Sequence, residues 1–289
     1  MSSDSHLQQP LQNISDTAYL VAAYRAMETS RDDSLFKDPY AMELVGQHGM
    51  AIVNSLRSGK NSSWFLVART CILDNWIQKI IQNEKIDTVL NLAAGLDTRA
   101  YRLQLPPQLR WFDIDLPDIL SHKEKVLQHQ KPSCQFKFVK MDLSHKSERS
   151  QFFSEVATDS KKTLIISEGF LMYLNPSTAG ALAVELAQYP PFKFWLAELL
   201  GPFQLKLINW KWGKQFKSAN CQMGFAPPEG ADFFIEYGWT PIAFRSSFDE
   251  AIRLGRAPRG SSLFRKILKV FPSFLVNRLN RAGIALLVR

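Results

Sequence analysis

The stretch Thr88-Val-Leu-Asn-Leu-Ala-Ala-Gly-Leu-Asp-Thr-Arg-Ala-Tyr-Arg-Leu103 decides the fold. Val89, Leu90 and Leu92 make an apolar run of the length of a buried parallel strand. Ala93, Ala94 and Gly95 then remove side-chain bulk where the chain must bend and a ligand can approach closely. Asp97 and Thr98 set oxygens beside that opening. By itself the turn fits tight strand-to-helix packing equally well. The next acid favours a nucleotide-like ligand. Arg110-Trp-Phe-Asp-Ile-Asp115 reads as the neighbouring strand, and Asp115 lies twenty positions after Gly95. In Rossmann-like sheets an acid about 20 residues past the glycine turn accepts ribose hydroxyls from the tip of the adjacent strand. Asp113 shares that strand face; Asp115, nearer the carboxyl end, is the preferred ligand.

Outward from this pair, strands are expected at residues 88–92, 110–115, 136–141, 163–167 and 192–198, and helices at 64–82, 122–130 and 177–188. Alternation of this kind implies parallel crossovers, helices on both faces of one sheet, and ligands gathered at the carboxyl ends of the strands. Residues 237–245 and 283–289 would add the late strands. The 46% hydrophobic content of the 289 residues is that of a globular chain. Residues 1–16 are polar and lack a secretion signal, so a flexible tail is expected there, followed by a single domain over 17–289. The longest apolar runs are too short to span a bilayer. Three widely spaced cysteines suggest a reducing, cytoplasmic setting. Five scattered histidines form no close ligand pair, so no metal is expected.

The segment 92–103, followed by Phe112-Asp-Ile-Asp-Leu-Pro117, resembles the leucine carboxyl methyltransferase-like family of S-adenosylmethionine-dependent O-methyltransferases. Ala23-Tyr-Arg-Ala-Met-Glu-Thr29, Phe36-Lys-Asp-Pro-Tyr-Ala41, Arg69, Met141-Asp-Leu143, Ser167-Glu-Gly-Phe-Leu-Met-Tyr-Leu174 and Tyr237-Gly-Trp239 are similar to further family signatures, in order along residues 17–260 and the final strand. The resemblance implies a class I methyltransferase sheet, Rossmann-like and mostly parallel, ending in an antiparallel hairpin and carrying a helical lid insertion. It also implies S-adenosylmethionine as cofactor. One departure stands in the turn. The family has Gly-Ala-Gly where this chain has Ala93-Ala94-Gly95, which is free of strain only if Ala93 keeps a negative φ.

Each motif then takes an expected role. Gly95, Ala93 and Asp97 border the cofactor, and Asp115 meets its ribose. Asp142, through its carboxylate, or the Asp142 and Leu143 backbone meets the adenine amine; Asp142 as an N-cap is the alternative. Glu168 stands at the mouth of the sheet, as a contact to the methionine amino end or as a structural ion pair. Arg69 lies among apolar neighbours on its helix, so its charge needs a partner, either the cofactor carboxylate or a salt bridge. Arg25 holds an acidic group of the substrate or closes the amino-terminal segment over the site.

The expected lid, residues 201–230, interleaves aromatic and basic side chains. Its Trp212 and Phe225, with Tyr173, are candidate contacts to an apolar small-molecule acceptor; helix-face packing is the alternative. No histidine follows His145, which leans toward methylation of an already ionised carboxylate, with a hydroxyl acceptor kept open. Residues 240–289 hold ten basic and two acidic side chains of a chain whose net charge is +8. The basic amphipathic segment 261–281 is expected either to dock on the core or to meet an acidic carrier protein or a membrane surface. No nucleic-acid module is recognisable, so no specific nucleic acid is expected. Two other readings remain: methylation of a protein's terminal carboxylate, and a cofactor-binding regulator without turnover. A nicotinamide dehydrogenase is disfavoured because the turn lacks the third glycine of its fingerprint.

Overall fold

A computed structural model describes residues 15–55, 59–218, 221–268 and 281–289. Three helices, α1 (Asp16–Thr29), α2 (Ala41–Ser55) and α3 (Gly59–Glu84), precede the first strand, β1 (Thr88–Leu92). There follow α4 (Arg99–Arg102), β2 (Arg110–Asp115), α5 (Pro117–Leu127), β3 (Gln135–Lys140), α6 (Lys146–Asp159) and β4 (Thr163–Ser167). The rest of the chain supplies α7 (Pro176–Ala187), β5 (Phe192–Leu199), α8 (Pro202–Ser218), β6 (Thr240–Ser246), α9 (Ser247–Arg253), α10 (Ser261–Leu268) and β7 (Gly283–Val288). The seven strands form one sheet in the order β3-β2-β1-β4-β5-β7-β6, with β7 antiparallel to both neighbours and the pairings among β1 to β5 all parallel.

Every position of β1 and β4 is buried, as expected of central parallel strands covered on both faces. Alternation divides their side chains between two cores. Leu90, Leu92 and Ile165 join Phe153, Trp195, Phe234 and Trp239 on one face. Val89, Leu164 and Ile166 join Trp111 and the inner side of α3, including Ile72, Ile77 and Ile81, on the other. Trp111, Trp195 and Trp239 are fully buried and satisfy their indole N–H groups by donating to Asp113, to the Ser167 hydroxyl and to the Ala183 carbonyl, at 2.8, 2.9 and 3.0 Å. α5 begins at Pro117, whose fixed φ suits the first turn of a helix.

Strand register positions the site. Leu92 pairs with Ile114 on one side and Ser167 on the other, and Asp115 pairs with Lys140. The residues just past β1, β2, β3 and β4 therefore meet at one edge of the sheet. Three expectations change here. Asp16 belongs to α1 and is buried, so it is no part of a tail. Residues 237–239 precede β6 instead of opening it: Tyr237 ends a 3-10 helix (Gly230–Tyr237) and Gly238 caps that helix at φ 87°. The expected lid holds α8 and, over residues 221–227, a stretch without regular secondary structure.

Candidate active site

The carboxyl edge of the sheet opens into a cavity of about 790 Å3. Its floor is the turn after β1, from Ala93 to Asp97, together with Asp115, Asp142, Leu143 and Glu168 at the ends of the next strands. Its roof comes from both flanks of the chain. α1 contributes Ala18, Val21 and Tyr24, and α8 contributes Ile208 and Phe216.

The turn is built as a tight bend. Ala93 has φ 53° and Gly95 φ 50°. An added Cβ at Gly95 would stand 3.0 Å from the Ala18 methyl, so glycine there also permits α1 to approach. Ala93 departs from the negative φ that would have left it unstrained; a left-handed alanine costs about 1 kcal/mol. Asp115 fastens the bend: its Oδ2 accepts from the Gly95 N–H at 2.6 Å and its Oδ1 from the Leu116 N–H at 2.7 Å. Burial pushes the Asp115 carboxyl up, against those two hydrogen bonds. Asp113, the other candidate on β2, is buried away from the cavity. It pairs with the fully buried Lys123 at 2.5 Å and accepts from Asn91 and Trp111 at 2.9 and 2.8 Å.

Asp97 is held from beneath. It accepts from Asn91 Nδ2 at 3.0 Å and from the Arg99 guanidinium at 2.7 Å. Burial acts to raise its carboxyl pKa, but the surrounding cations, Arg99 foremost, outweigh burial and hold it well below the usual carboxylate range. Arg99 also reaches Asp74 at 2.7 Å and Glu168 at 2.6 Å, so one guanidinium joins α3, the turn and the end of β4. Glu168 lies 2.7 Å from Arg69 Nε as well. Burial acts to raise Glu168 too, and Arg99 with Arg69 reverses the sign, leaving its carboxyl below the ordinary value. Glu198, at the end of β5, accepts from Arg69 Nη1 at 2.9 and 3.0 Å and from the Gly169 N–H at 2.6 Å, yet burial prevails and its carboxyl is raised.

Arg69 therefore faces two carboxylates, its Nε beside Glu168 and its Nη1 on Glu198. Asp142 makes a local turn, its Oδ1 accepting from the Ser144 N–H at 2.8 Å; that bond is the chief reason its carboxyl is lowered. It does not cap α6, whose N-cap position is His145. The Leu143 carbonyl accepts from Arg149, which pairs with Glu185. Arg25 donates to Asp38 at 2.8 Å and to the Leu96 carbonyl at 2.5 Å, and Thr98 donates to the same Asp38 oxygen at 2.7 Å. Arg25 thus ties α1 to the turn. The Tyr173 hydroxyl is hydrogen bonded with Thr17, and burial pushes its pKa up to about 12.

Arg25, Arg69, Ala93, Gly95, Asp97, Asp115, Asp142, Leu143, Glu168 and Tyr173 all line the cavity. Phe225 does not. It is 1% exposed and packs its ring edge-on against Phe233 and Phe234 at centroid distances of 5.0 and 6.0 Å. Its backbone N–H bonds to the Met172 carbonyl, which draws it into the core beside β5 and away from the acceptor side. The side chain of Trp212 lies outside the described residues. Sequence reasoning missed Arg99, Asn91 and Asp38. Arg99 stood inside the deciding stretch, but its partners Asp74 and Glu168 are distant in sequence, so no spacing marks it.

The basic carboxyl-terminal region is more neutral than its composition suggests. Arg245 and Arg253 share Glu250, Arg256 pairs with Glu28 and Asp33, and Arg265 pairs with Asp249. Of the segment 261–281, residues 269–280 lie outside the described residues. Among the described residues no helix is long and apolar enough to cross a membrane, and no group of three or more histidine, cysteine, aspartate or glutamate side chains is arranged for a metal.

The sheet order, the antiparallel β7 and a cavity at the carboxyl edge define a class I methyltransferase architecture. The same fold is found in a DUF574 family protein from Streptomyces avermitilis, with TM-score 0.58 at 12% identity over 94% of this chain and 96% of that one. A protein from Thermobifida fusca assigned as a methyltransferase gives TM-score 0.53 at 14% identity over 98% and 96%. The chain belongs to the leucine carboxyl methyltransferase family, whose model matches residues 18–187. Among curated relatives, a protein of Saccharopolyspora erythraea assigned by name only as an S-adenosyl-L-methionine-dependent methyltransferase is 32% identical over 175 residues, 57% of this chain and 60% of that one. A Mycobacteroides abscessus protein with the same assignment is 31% identical over 183 residues, 57% of this chain and 59% of the relative. The matches thus span about three fifths of those relatives' length.

Proposed function

We propose that this protein is an S-adenosylmethionine-dependent O-methyltransferase whose acceptor is an uncharged, apolar small molecule carrying a hydroxyl group. The observation that carries the donor half is the convergence of the 93–97 turn, Asp115, Asp142 with Leu143, and Glu168 on one cavity. The donor set fits the cofactor's chemistry. Asp115 would hold the ribose hydroxyls, and Asp142 with the Leu143 backbone would meet the adenine amine. Arg69 and Glu168 together complement an amino acid zwitterion, the guanidinium for its carboxylate and the carboxyl for its ammonium. Both groups line the cavity and are already paired with one another, which holds them side by side where such a zwitterion would meet them. When bound, the donor supplies a methyl group made electrophilic by its sulfonium sulfur. As the oxygen–methyl bond forms the methyl–sulfur bond breaks, leaving S-adenosylhomocysteine, and the hydroxyl gives up its proton. The chain's own contribution is to align the acceptor oxygen, exclude water and take that proton, for which Glu198, a cavity carboxylate whose pKa burial raises, is the candidate base.

Charge supports the acceptor reading. Among the described lining residues three arginines stand against five carboxyl groups, and each of the three already faces an acid. An anionic acceptor would enter an acidic cavity without an uncommitted cation among the described lining residues, at a desolvation cost that a neutral hydroxyl avoids. The remaining lining, including Leu20, Val21, Phe65, Met172, Ile208 and Phe216, is apolar. This reading favours the hydroxyl over the carboxylate toward which the sequence leaned, and it disfavours a protein's terminal carboxylate.

Calorimetry with S-adenosylhomocysteine tests the donor assignment: saturable binding is expected, and binding of a nicotinamide dinucleotide in its place would overturn it. Methyl transfer to 1-naphthol and to 1-naphthoic acid, followed with labelled donor, tests the acceptor class. Preferred transfer to the acid would reject the uncharged acceptor while leaving the donor site intact.

A further inference from the structure

α8 has two apolar sides, of which the cavity explains one. Ile208 and Phe216 face inward and line the cavity. Phe203, Leu207 and Trp210 follow one another at spacings of four and three, which places them on a single stripe of the helix. They are 53%, 48% and 83% exposed. Exposed Lys206, Lys211 and Lys217 flank that stripe, and no acidic residue occurs between Glu198 and Glu229. A helix buried on one face ordinarily turns a polar face outward. Here the outward face combines bulky apolar side chains with uniformly positive charge.

We propose that the outer face of α8 is a docking surface for an anionic lipid bilayer. Phe203, Leu207 and Trp210 would enter the boundary between headgroups and acyl chains, and the flanking lysines would reach the lipid phosphates. Trp210 is the residue that separates this partner from an acidic protein. At 83% exposed it projects from the surface, and a projecting ring is accommodated by a fluid interface without a preformed socket. An acidic protein would answer the lysines and leave the apolar stripe unexplained. α10 repeats the combination on a smaller scale, with Leu263 and Ile267 at 64% and 50% exposed beside Lys266. The surface stands independently of the proposed methyl transfer. Where that reading also holds, an apolar acceptor dissolved in the lipid would arrive against the helix that walls the cavity.

Flotation of the full chain with vesicles tests the proposal. With equal parts phosphatidylcholine and phosphatidylglycerol the protein is expected to float, with phosphatidylcholine alone to remain at the bottom, and with rising salt to be released. Each lysine reversed is expected to lower the partition coefficient by about fivefold or more. Trp210→Asp, checked for wild-type melting, is expected to lower it at least as much. Quenching of tryptophan emission by brominated lipid in the anionic vesicles provides a readout that requires no variant. Absence of flotation overturns the proposal, as does absence of quenching. Trp210→Asp floating like wild type while Lys206→Glu/Lys211→Glu does not would reduce the contact to charge alone and reject insertion. Retention on a polyglutamate matrix that Trp210→Asp leaves intact, without flotation, would assign the surface to an acidic protein instead.

Discussion

Replacing Asp115 by alanine is expected to weaken the fold and the donor site together. The sequence alone predicts a binding defect in a stable protein. The two backbone N–H groups that Asp115 accepts, from Gly95 at 2.6 Å and from Leu116 at 2.7 Å, change that expectation. A hydrogen bond to a charged group contributes about 1.5–3 kcal/mol. Burial raises the Asp115 carboxyl, so holding it ionised at neutral pH offsets part of that gain, and a net loss of about 2 kcal/mol follows. In a chain of this size each kcal/mol moves the melting temperature by roughly 2–4 °C, giving a drop of about 4–8 °C. Loss of the acceptor for the ribose hydroxyls should also cost about 1.5–3 kcal/mol of binding, roughly a tenfold to hundredfold rise in Kd. Scanning calorimetry reads the first effect. Titration with S-adenosylhomocysteine, well below the variant's Tm, reads the second. Asp115→Asn keeps one acceptor oxygen and removes the charge, so it should fall between wild type and alanine in both. An alanine variant that melts with wild type would refute the fastening of the turn. One that melts early but binds with unchanged Kd would refute the ribose role alone.

Phe225→Ala is expected to cost about 3–5 kcal/mol in denaturant unfolding, because it empties a site between Phe233 and Phe234, while acceptor Michaelis constants stay unchanged; a stable variant with altered acceptor preference would return Phe225 to the cavity. The lowered carboxyls of Asp38, Asp97 and Glu168 contribute stability that is complete above their unfolded values of about 4 and is lost as pH falls through the still lower folded ones, so acid unfolding should steepen below about pH 4. Tyr24 and Tyr173 work in the opposite sense: both are pushed up to about 12, so stability held below about pH 10 should decline as pH rises toward 12, and a flat melting profile across that range would contradict their burial.

What the sequence revealed and what it concealed divide along the range of the interactions. β1, β2 and β4 were readable to the residue because continuous apolar runs end abruptly at polar or glycine positions, and the separation of Gly95 and Asp115 carried their proximity. α6 was not readable. Its buried side chains, Arg149, Phe153 and Val156, include a charged residue, and its apolar periodicity is weak. The partners of Arg69, Arg99 and Arg25 come from elements 129, 69 and 13 positions away, and nothing local specifies which acid each one meets. Phe225 misled because an aromatic ring suits a substrate wall and a core equally well; only the bond from its backbone to Met172 decides. The part of α1 in roofing the cavity was legible only as the closing alternative for Arg25, since the small residues that let the helix pack, Ala18, Ala22 and Ala23, carry no chemistry of their own.

The placement of β7 between β5 and β6 has a consequence for how the molecule comes into being. β6 touches the sheet only through a strand that the ribosome makes later. During synthesis the segment between them occupies a few seconds at ordinary elongation rates of about 5–20 residues per second. Throughout that interval β5 presents an open edge next to the nascent chain, and β6 has no ladder to join. The nascent protein is therefore most exposed to mispairing between the synthesis of β6 and that of β7, and a chaperone that shields strand edges would matter most in those few seconds, after the cofactor-side strands are made.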